Sequence, residues 1–309
     1  MPSLQSRVLR IFIRRMGFLG GKNLSIPEMR RKSDESARFL RPPRGVAIQS
    51  VAAGSVPAEW IIPQGAPQDS VLLYFHGGGF IFCSLKTHRA MVARLALAGG
   101  TRALSVDYRL APEHPFPAAP DDCLAAYRWL VQSGISPQRI VVAGDSAGGN
   151  LALVLLLTLR AAGEPLPAAA VCLSPATDLA WTGESMRTKA GVDPIFPQGA
   201  SSPLANSIQS DYVRSEDPRN PFLSPLYGDW HGMPPILLQV GENEILLDDS
   251  RRLADKVRAA GGQVAITVWP GLWHVFQVNA PLLPEANQSI NQIGAFINRL
   301  LKKAPKVVE

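Results

Sequence analysis

RIVVAGDSAGGNLALVLLLTLRAA, residues 139–162, sets a short β-branched run (Ile140, Val141, Val142) directly ahead of a helical pattern. In that pattern Leu151, Val154, Leu155 and Leu159 recur at three- and four-residue spacing. Between the two lies Gly144-Asp145-Ser146-Ala147-Gly148-Gly149. A strand turning this sharply into a helix forces a tight, strained backbone at Ser146, and the glycines two before and two after let strand and helix approach. The hydroxyl is thereby held beyond the sheet edge, next to the positive end of a helix dipole. That position suits a nucleophile. A bare G-x-S-x-G is weak in a chain with 26 glycines, so its weight comes from the strand before and the helix after.

Working outward, residues 71–75, 103–107, 139–143, 168–173, 235–240 and 263–269 read as strands. Residues 87–98, 118–132, 150–162, 247–260 and 285–301 read as helices, and two more strand-like runs flank Gly54-Ser55 between 46 and 62. This alternation predicts an α/β fold, with a mostly parallel sheet covered by helices on both faces. Such sheets bind ligands beyond the carboxyl ends of their strands. Between 176 and 233 the alternation lapses into Pro-rich, aromatic-containing sequence, expected as an insertion over the sheet's active edge.

Residues 1–42 read as a separate helical appendage to the domain spanning 43–309. Leu4, Val8, Ile11, Phe12 and Met16 fall near one helical face and Arg7, Arg10 and Arg14 on another, until Gly20-Gly21 breaks the pattern. Ser25-Ile-Pro-Glu28 reads as a capping box opening a second helix through about Phe39. A basic amphipathic helix can lie on a membrane surface. The commoner arrangement, and the expectation, is that its apolar side packs on its own chain.

The chain of 309 residues is 46% hydrophobic, enough for one sizeable domain plus decoration, and no low-complexity linker or repeat divides it. The net charge of +6 gathers towards the ends, and no basic stripe interleaved with aromatics appears, which argues against nucleic acid. Cys83, Cys123 and Cys172 are widely spaced and odd in number, and read as reduced thiols in a cytoplasmic protein. No C-x-x-C or H-x-x-x-H suggests a metal. Nothing approaches the roughly 20 apolar residues of a transmembrane helix, so no stable membrane insertion is expected.

His76-Gly77-Gly78-Gly79-Phe80 directly follows the strand 71–75. Glycines bring backbone N–H groups close to a ligand, as acyl transfer requires at the oxygen that becomes negative. The oxyanion site is therefore assigned to Gly77, Gly78, Gly79 and Ala147. Gly78, Gly79 and Ala147 are the donors and Gly77 shapes the turn. No G-x-x-x-x-G-K follows that would make the loop a phosphate cradle. His76 is expected to orient the loop rather than react. Of five histidines, His274 lies late in the chain past the end of strand 263–269, and the order Ser…acid…His suits this architecture. His274 is the expected general base. The acid should follow strand 235–240, where Glu244 is favoured; Asp248 comes second, because aspartates in a helix's first turn already complement its dipole.

HGGGF, DYRLAPEHPFPAA (Asp107 to Ala119), GDSAGG and GLWHVF together resemble the hormone-sensitive-lipase-like esterases, the bacterial family IV branch of the α/β-hydrolases, over about Val71 to Phe276. The resemblance implies an eight-stranded core under a helical cap built from the N-terminal segment and the 176–233 insertion. It implies carboxylic-ester hydrolysis without cofactor, with nucleophile Ser146, base His274 and acid Glu244. The family more often has Asp at the acid position and Gly where Cys83 stands. Arg109 and Glu113 are expected to form an ion pair bracing the oxyanion loop. Short-chain esters are implied over long triglycerides, and a homodimer through the strand 263–269 edge is plausible on the same ground. Phe12, Phe18, Leu19, Trp181, Phe196 and Tyr212 would give the cap an apolar pocket for a small-molecule ester. Two rivals stand beside this reading: a small-molecule receptor on the same scaffold, which the presence of His274 disfavours, and an amidase or lactonase sharing all three catalytic groups.

Overall fold

A computed structural model describes residues 1–16 and 24–303. Its centre is one eight-stranded sheet in the order β1-β2-β4-β3-β5-β6-β7-β8. The strands are β1 (Val46–Ala53), β2 (Val56–Pro63), β3 (Val71–Phe75), β4 (Arg102–Val106), β5 (Ile140–Asp145), β6 (Ala169–Leu173), β7 (Ile236–Gly241) and β8 (Val264–Trp269). Strand β2 runs antiparallel to both its neighbours, and every pairing from β4 to β8 is parallel. β3, β5, β6 and β7 are buried along their whole length, which is why they read as unbroken apolar runs instead of alternating ones.

Helices α3 (Leu85–Gly99) and α9 (Pro284–Lys303) cover one face, where Met91 and Leu95 join Ile293 and Ile297 in the core. Helices α4 (Ala118–Gln132), α5 (Ala147–Ala161) and α8 (Leu247–Ala259) cover the other, around Tyr127, Leu151, Leu155 and Leu253. Register brings the strand ends level: Phe75 pairs with Gly144, Gly144 with Cys172, and Gly241 with Trp269. The loops after β3, β5, β6, β7 and β8 therefore open at one end of the sheet.

Over that end lie α1 (Leu4–Met16), α2 (Ile26–Ser36) and the short helices α6 (Ser185–Thr188) and α7 (Pro203–Ser207) of the 176–233 segment. The capping box at α2 forms as its sequence suggests, with Glu28 accepting from both the backbone N–H and the hydroxyl of Ser25. Helix α1 departs from expectation. Leu9 and Ile13 pack inward, while Leu4, Val8, Ile11 and Phe12 point to solvent. Phe18, Leu19 and the Gly20-Gly21 break lie outside the described residues.

Candidate active site

Ser146 sits between the last residue of β5 and the first of α5, with φ +53° and ψ −118°. The helix starts at Ala147, four residues before Leu151 opens its apolar repeat, so the serine is its N-cap. A Cβ on Gly144 would stand 2.2 Å from the Gly148 carbonyl oxygen, and one on Gly148 only 2.0 Å from that of Phe75. The two glycines are thus a steric condition for holding the serine in this turn. The Ser146 N–H donates to the Leu173 carbonyl at 2.8 Å, tying the turn to β6.

The glycine loop after β3 is fastened from below. Gly77 donates its N–H to Asp145 Oδ1 at 3.1 Å, and a Cβ there would fall 2.2 Å from Asp145 Oδ2. That N–H is committed to Asp145, and Gly77 does not line the cavity, whereas Gly78, Gly79 and Ala147 do. Gly78 and Gly79 take φ values of +115° and +60°, open to glycine at little strain. Asp145 also accepts from Tyr74 Oη at 2.6 Å and lies 3.2 Å from His88 Nε2. Burial pushes its carboxyl up, but His88 and the hydrogen bonds outweigh burial and hold it below the usual value. His76 stacks on Tyr108 with ring centroids 4.4 Å apart. Burial first, then His88, pushes its pKa down to about 4, so the ring is neutral near pH 7. Its Nδ1 lies 2.7 Å from the Gly77 carbonyl, which only accepts, so Nδ1 carries the proton. His76 is a loop brace.

His274, on the loop after β8, brings Nδ1 within 2.7 Å of Glu244 Oε2. The second Glu244 oxygen accepts from Ser174 Oγ at 2.8 Å and from the Gly241 N–H. Ser174 in turn accepts from the Val275 N–H at 3.2 Å, so one hydroxyl ties the acid to the histidine's loop. Asp248 instead accepts from the Ser185 N–H at 2.8 Å, and Asp249 from the N–H groups of Thr177 and Asp178. Burial of His274 would lower its pKa, but the hydrogen bond and charge of Glu244, then Asp193 and Asp145, prevail and raise it. Of the other histidines, His88 belongs to the Asp145 network, and His114 and His231 are exposed.

A cavity of about 380 Å³ holds Ser146, His274, Gly78, Gly79 and Ala147 in its wall. Phe12, Trp181 and Phe196 line it too, and Phe196 meets the His274 ring edge-on at 5.0 Å. Tyr212 does not. It is buried behind the wall, stacked on Phe80 at 3.9 Å. The expected Arg109–Glu113 pair is also absent: Arg109 binds Asp122 at 2.8 Å, while Glu113 binds Arg30 of α2 at 2.7 Å. Arg30 further donates to the carbonyls of Ile81 and Ala111, both at 2.8 Å, so the oxyanion loop is braced from the cap.

Two residues that the sequence did not single out stand beside Glu244 and His274. One is Ser174; its only sequence signal is a hydroxyl directly after a strand end. The other is Asp193, brought in by the 176–233 segment. Its Oδ1 accepts from the Ile195 and Phe196 N–H groups, and its Oδ2 accepts from that of Ile245, next to Glu244, at 3.0 Å. Burial raises its pKa to about 6 against the pull of His274. Nothing local in the sequence marks this aspartate.

The α/β-hydrolase-fold family matches residues 72–278. An acetyl-hydrolase of Streptomyces hygroscopicus is 43% identical over 248 residues, covering 80% of this chain and 81% of that protein. A carboxylesterase/phospholipase of Mycobacterium tuberculosis, LipF, is 37% identical over 270 residues, covering 85% and 72%. A crystal structure of an esterase from the bacterial hormone-sensitive lipase family superposes with a TM-score of 0.91 at 42% identity, covering 97% of this chain and 99% of the other.

Proposed function

Since the chain belongs to the α/β-hydrolase-fold family, in its bacterial hormone-sensitive-lipase branch, and is a serine carboxylesterase, we propose that it cleaves short- to medium-chain esters with Ser146, His274 and Glu244. Ser146 attacks the ester carbonyl while neutral His274 takes its proton. Glu244 holds the imidazole with its proton on Nδ1 and stabilises the imidazolium that forms. The N–H groups of Gly78, Gly79 and Ala147 receive the oxyanion, with Gly77 setting the turn. His274 then protonates the leaving alcohol and activates a water that releases the acyl group.

The observation that carries this reading is the 2.7 Å contact of Glu244 with His274 in a ring that shares its cavity with Ser146 and the glycine loop. The size and aromatic lining of the cavity support a small acyl group, at the lower end of the roughly 300–1,000 Å³ of small-molecule sites. Aryl esters with acyl chains from about two to sixteen carbons, set against matched amides, test it. Turnover should peak among the shorter esters and be at least about 100-fold weaker on amides. A preference for the longest chains, or equal turnover of amides, overturns the substrate assignment.

Strand β8 is an open sheet edge, which supports a homodimer through it, and three free thiols support a reducing, cytoplasmic setting. Among the described residues no helix is long and apolar enough to cross a membrane.

A further inference from the structure

Helix α1 meets the protein through a mixed face, with Leu9 and Ile13 on the core and polar groups beside them. The Ser3 N–H and hydroxyl donate to Glu285 of α9 at 2.5 and 2.9 Å, Ser6 is buried, and Arg10 donates to the Val192 carbonyl at 3.1 Å. The stripe of four apolar residues faces outward instead: Leu4 is 74% exposed, Val8 59%, Ile11 55% and Phe12 58%. Their spacing stacks them along one face for more than two turns. Helical spacing also sets Arg7 and Arg14 along one border of the stripe and Arg15 at its C-terminal end, all three exposed. The stripe ends at the cavity, because Phe12 and Ile13 line its wall.

Two more exposed apolar side chains lie on segments that also contribute to the cavity wall. Phe39, 88% exposed, adjoins cavity-lining Leu40 and lies between exposed Arg38 and Arg41. Leu282, 65% exposed, lies three residues beyond cavity-lining Asn279. Exposed apolar surface on this scale is disfavoured by water and marks an interaction face. A second copy on a two-fold axis would set this patch against itself, guanidinium groups facing guanidinium groups. A phospholipid surface carrying negative charge takes up both the apolar stripe and its arginines.

We propose that the outer face of α1, with Phe39 and Leu282, docks on an anionic phospholipid bilayer, so that lipophilic esters pass from the membrane into the cavity mouth. The docking involves no acyl chemistry. A Ser146→Ala chain therefore binds as the parent does, and binding is read apart from the proposed reaction.

The full-length Ser146→Ala protein is sedimented with vesicles of phosphatidylcholine alone and of phosphatidylcholine mixed with phosphatidylglycerol. It should partition onto the phosphatidylglycerol vesicles and lose affinity as salt shortens the screening length to about 8 Å near physiological strength. Replacing Arg7, Arg14 and Arg15 together by Gln should lower partitioning about 100-fold, at roughly fivefold per arginine. The triple variant Leu4→Gln, Val8→Gln and Ile11→Gln should lower it at least about tenfold. In the Ser146 background both variants should turn over a water-soluble short aryl ester as the parent does, which reports that they fold. If the apolar triple loses that turnover, Val8→Gln alone decides, by the same readouts. Absence of partitioning at low salt overturns the proposal, as do stripe variants that bind like the parent. A shift from dimer to monomer with vesicle binding unchanged overturns it too, and gives the face to a second copy.

Discussion

Below the cavity, Ser146, Gly78, Gly79 and His274 stand at the ends of parallel strands, whereas the elements above it are placed by side-chain contacts: Leu9, Ile13, Ile26 and Met29 pack on the core, and Leu179, Met186, Ile208 and Tyr212 are buried in it. The floor is held by backbone contact and a buried carboxylate: a Cβ at Gly148 meets Phe75, and Asp145 gathers Gly77, Tyr74 and His88. The roof is held by Arg30 on the oxyanion loop, Glu285 on Ser3, Arg10 on Val192 and Asp193 on Ile245. The floor is thus placed by the sheet's backbone and the roof by side chains from distant parts of the chain.

The sharpest way to break the division is at the floor. Glu244→Gln removes the charge that holds the His274 ring, so kcat/KM should fall about 1,000-fold or more while Tm moves little. The same change removes the main influences raising the His274 pKa. Since the base acts only when neutral, activity in the parent should fall below a pKa above about 6.5, and in the variant that limb should move to lower pH. A pH–rate profile with an unmoved limb and a loss under about tenfold would assign the orienting role to another group.

The matching roof experiment is Arg30→Ala. It deletes two donations to backbone carbonyls and a pair with Glu113, whose carboxyl the guanidinium holds down at about 2. The exposed pair adds little, so the loss should be about 2 kcal/mol, a drop of several degrees in Tm, with turnover kept within about tenfold. An activity loss as large as that of Glu244→Gln would erase the distinction between the two regions.

Asp193→Asn probes where roof meets floor. The Asp193 charge helps raise the His274 pKa, so its removal should shift the acid limb of kcat/KM to lower pH, by less than Glu244→Gln does. Burial lifts the Asp193 carboxyl to about 6 from an unfolded value near about 3.9, so the folded chain binds the extra proton between those values. Stability should therefore decline as pH rises from about 4 to about 6 in the parent and decline less in the variant, as denaturant midpoints across that range would report. The smallest effect is expected at Cys83, held at φ +68°. Cys83→Gly should raise stability by about 1 kcal/mol with activity unchanged, read by thermal melting.

The legible parts of this molecule are those that neighbouring residues determine. Gly144, Ser146 and Gly148 give the turn at β5 because each glycine excludes a Cβ that would strike backbone. Buried parallel strands read as apolar runs because both their faces are covered. Contacts across large sequence separations were legible only where a motif marked both partners, as at Glu244 and His274. Arg109 and Glu113 are close in sequence and of opposite charge, yet each found a partner on another element, Asp122 on α4 and Arg30 on α2. Asp193 reaches Ile245 across 52 residues, and no local pattern announces it. On α1 the apolar periodicity gives the helix and its stripe, but not which way the stripe faces; contacts far along the chain decide that, Leu9 and Ile13 packing on the core while Glu285 binds Ser3 and the Val192 carbonyl binds Arg10.

The central claim is that one cavity joins a half-buried serine to a histidine held by a buried carboxylate. A diethyl aryl phosphate, followed by intact mass and peptide mapping, tests it most directly. One diethylphosphoryl group per chain on Ser146, in the peptide 140–160, with the rate slowed at least about 100-fold in His274→Ala, is the expected result. Modification at any other residue, or an undiminished rate without the imidazole, would contradict the account.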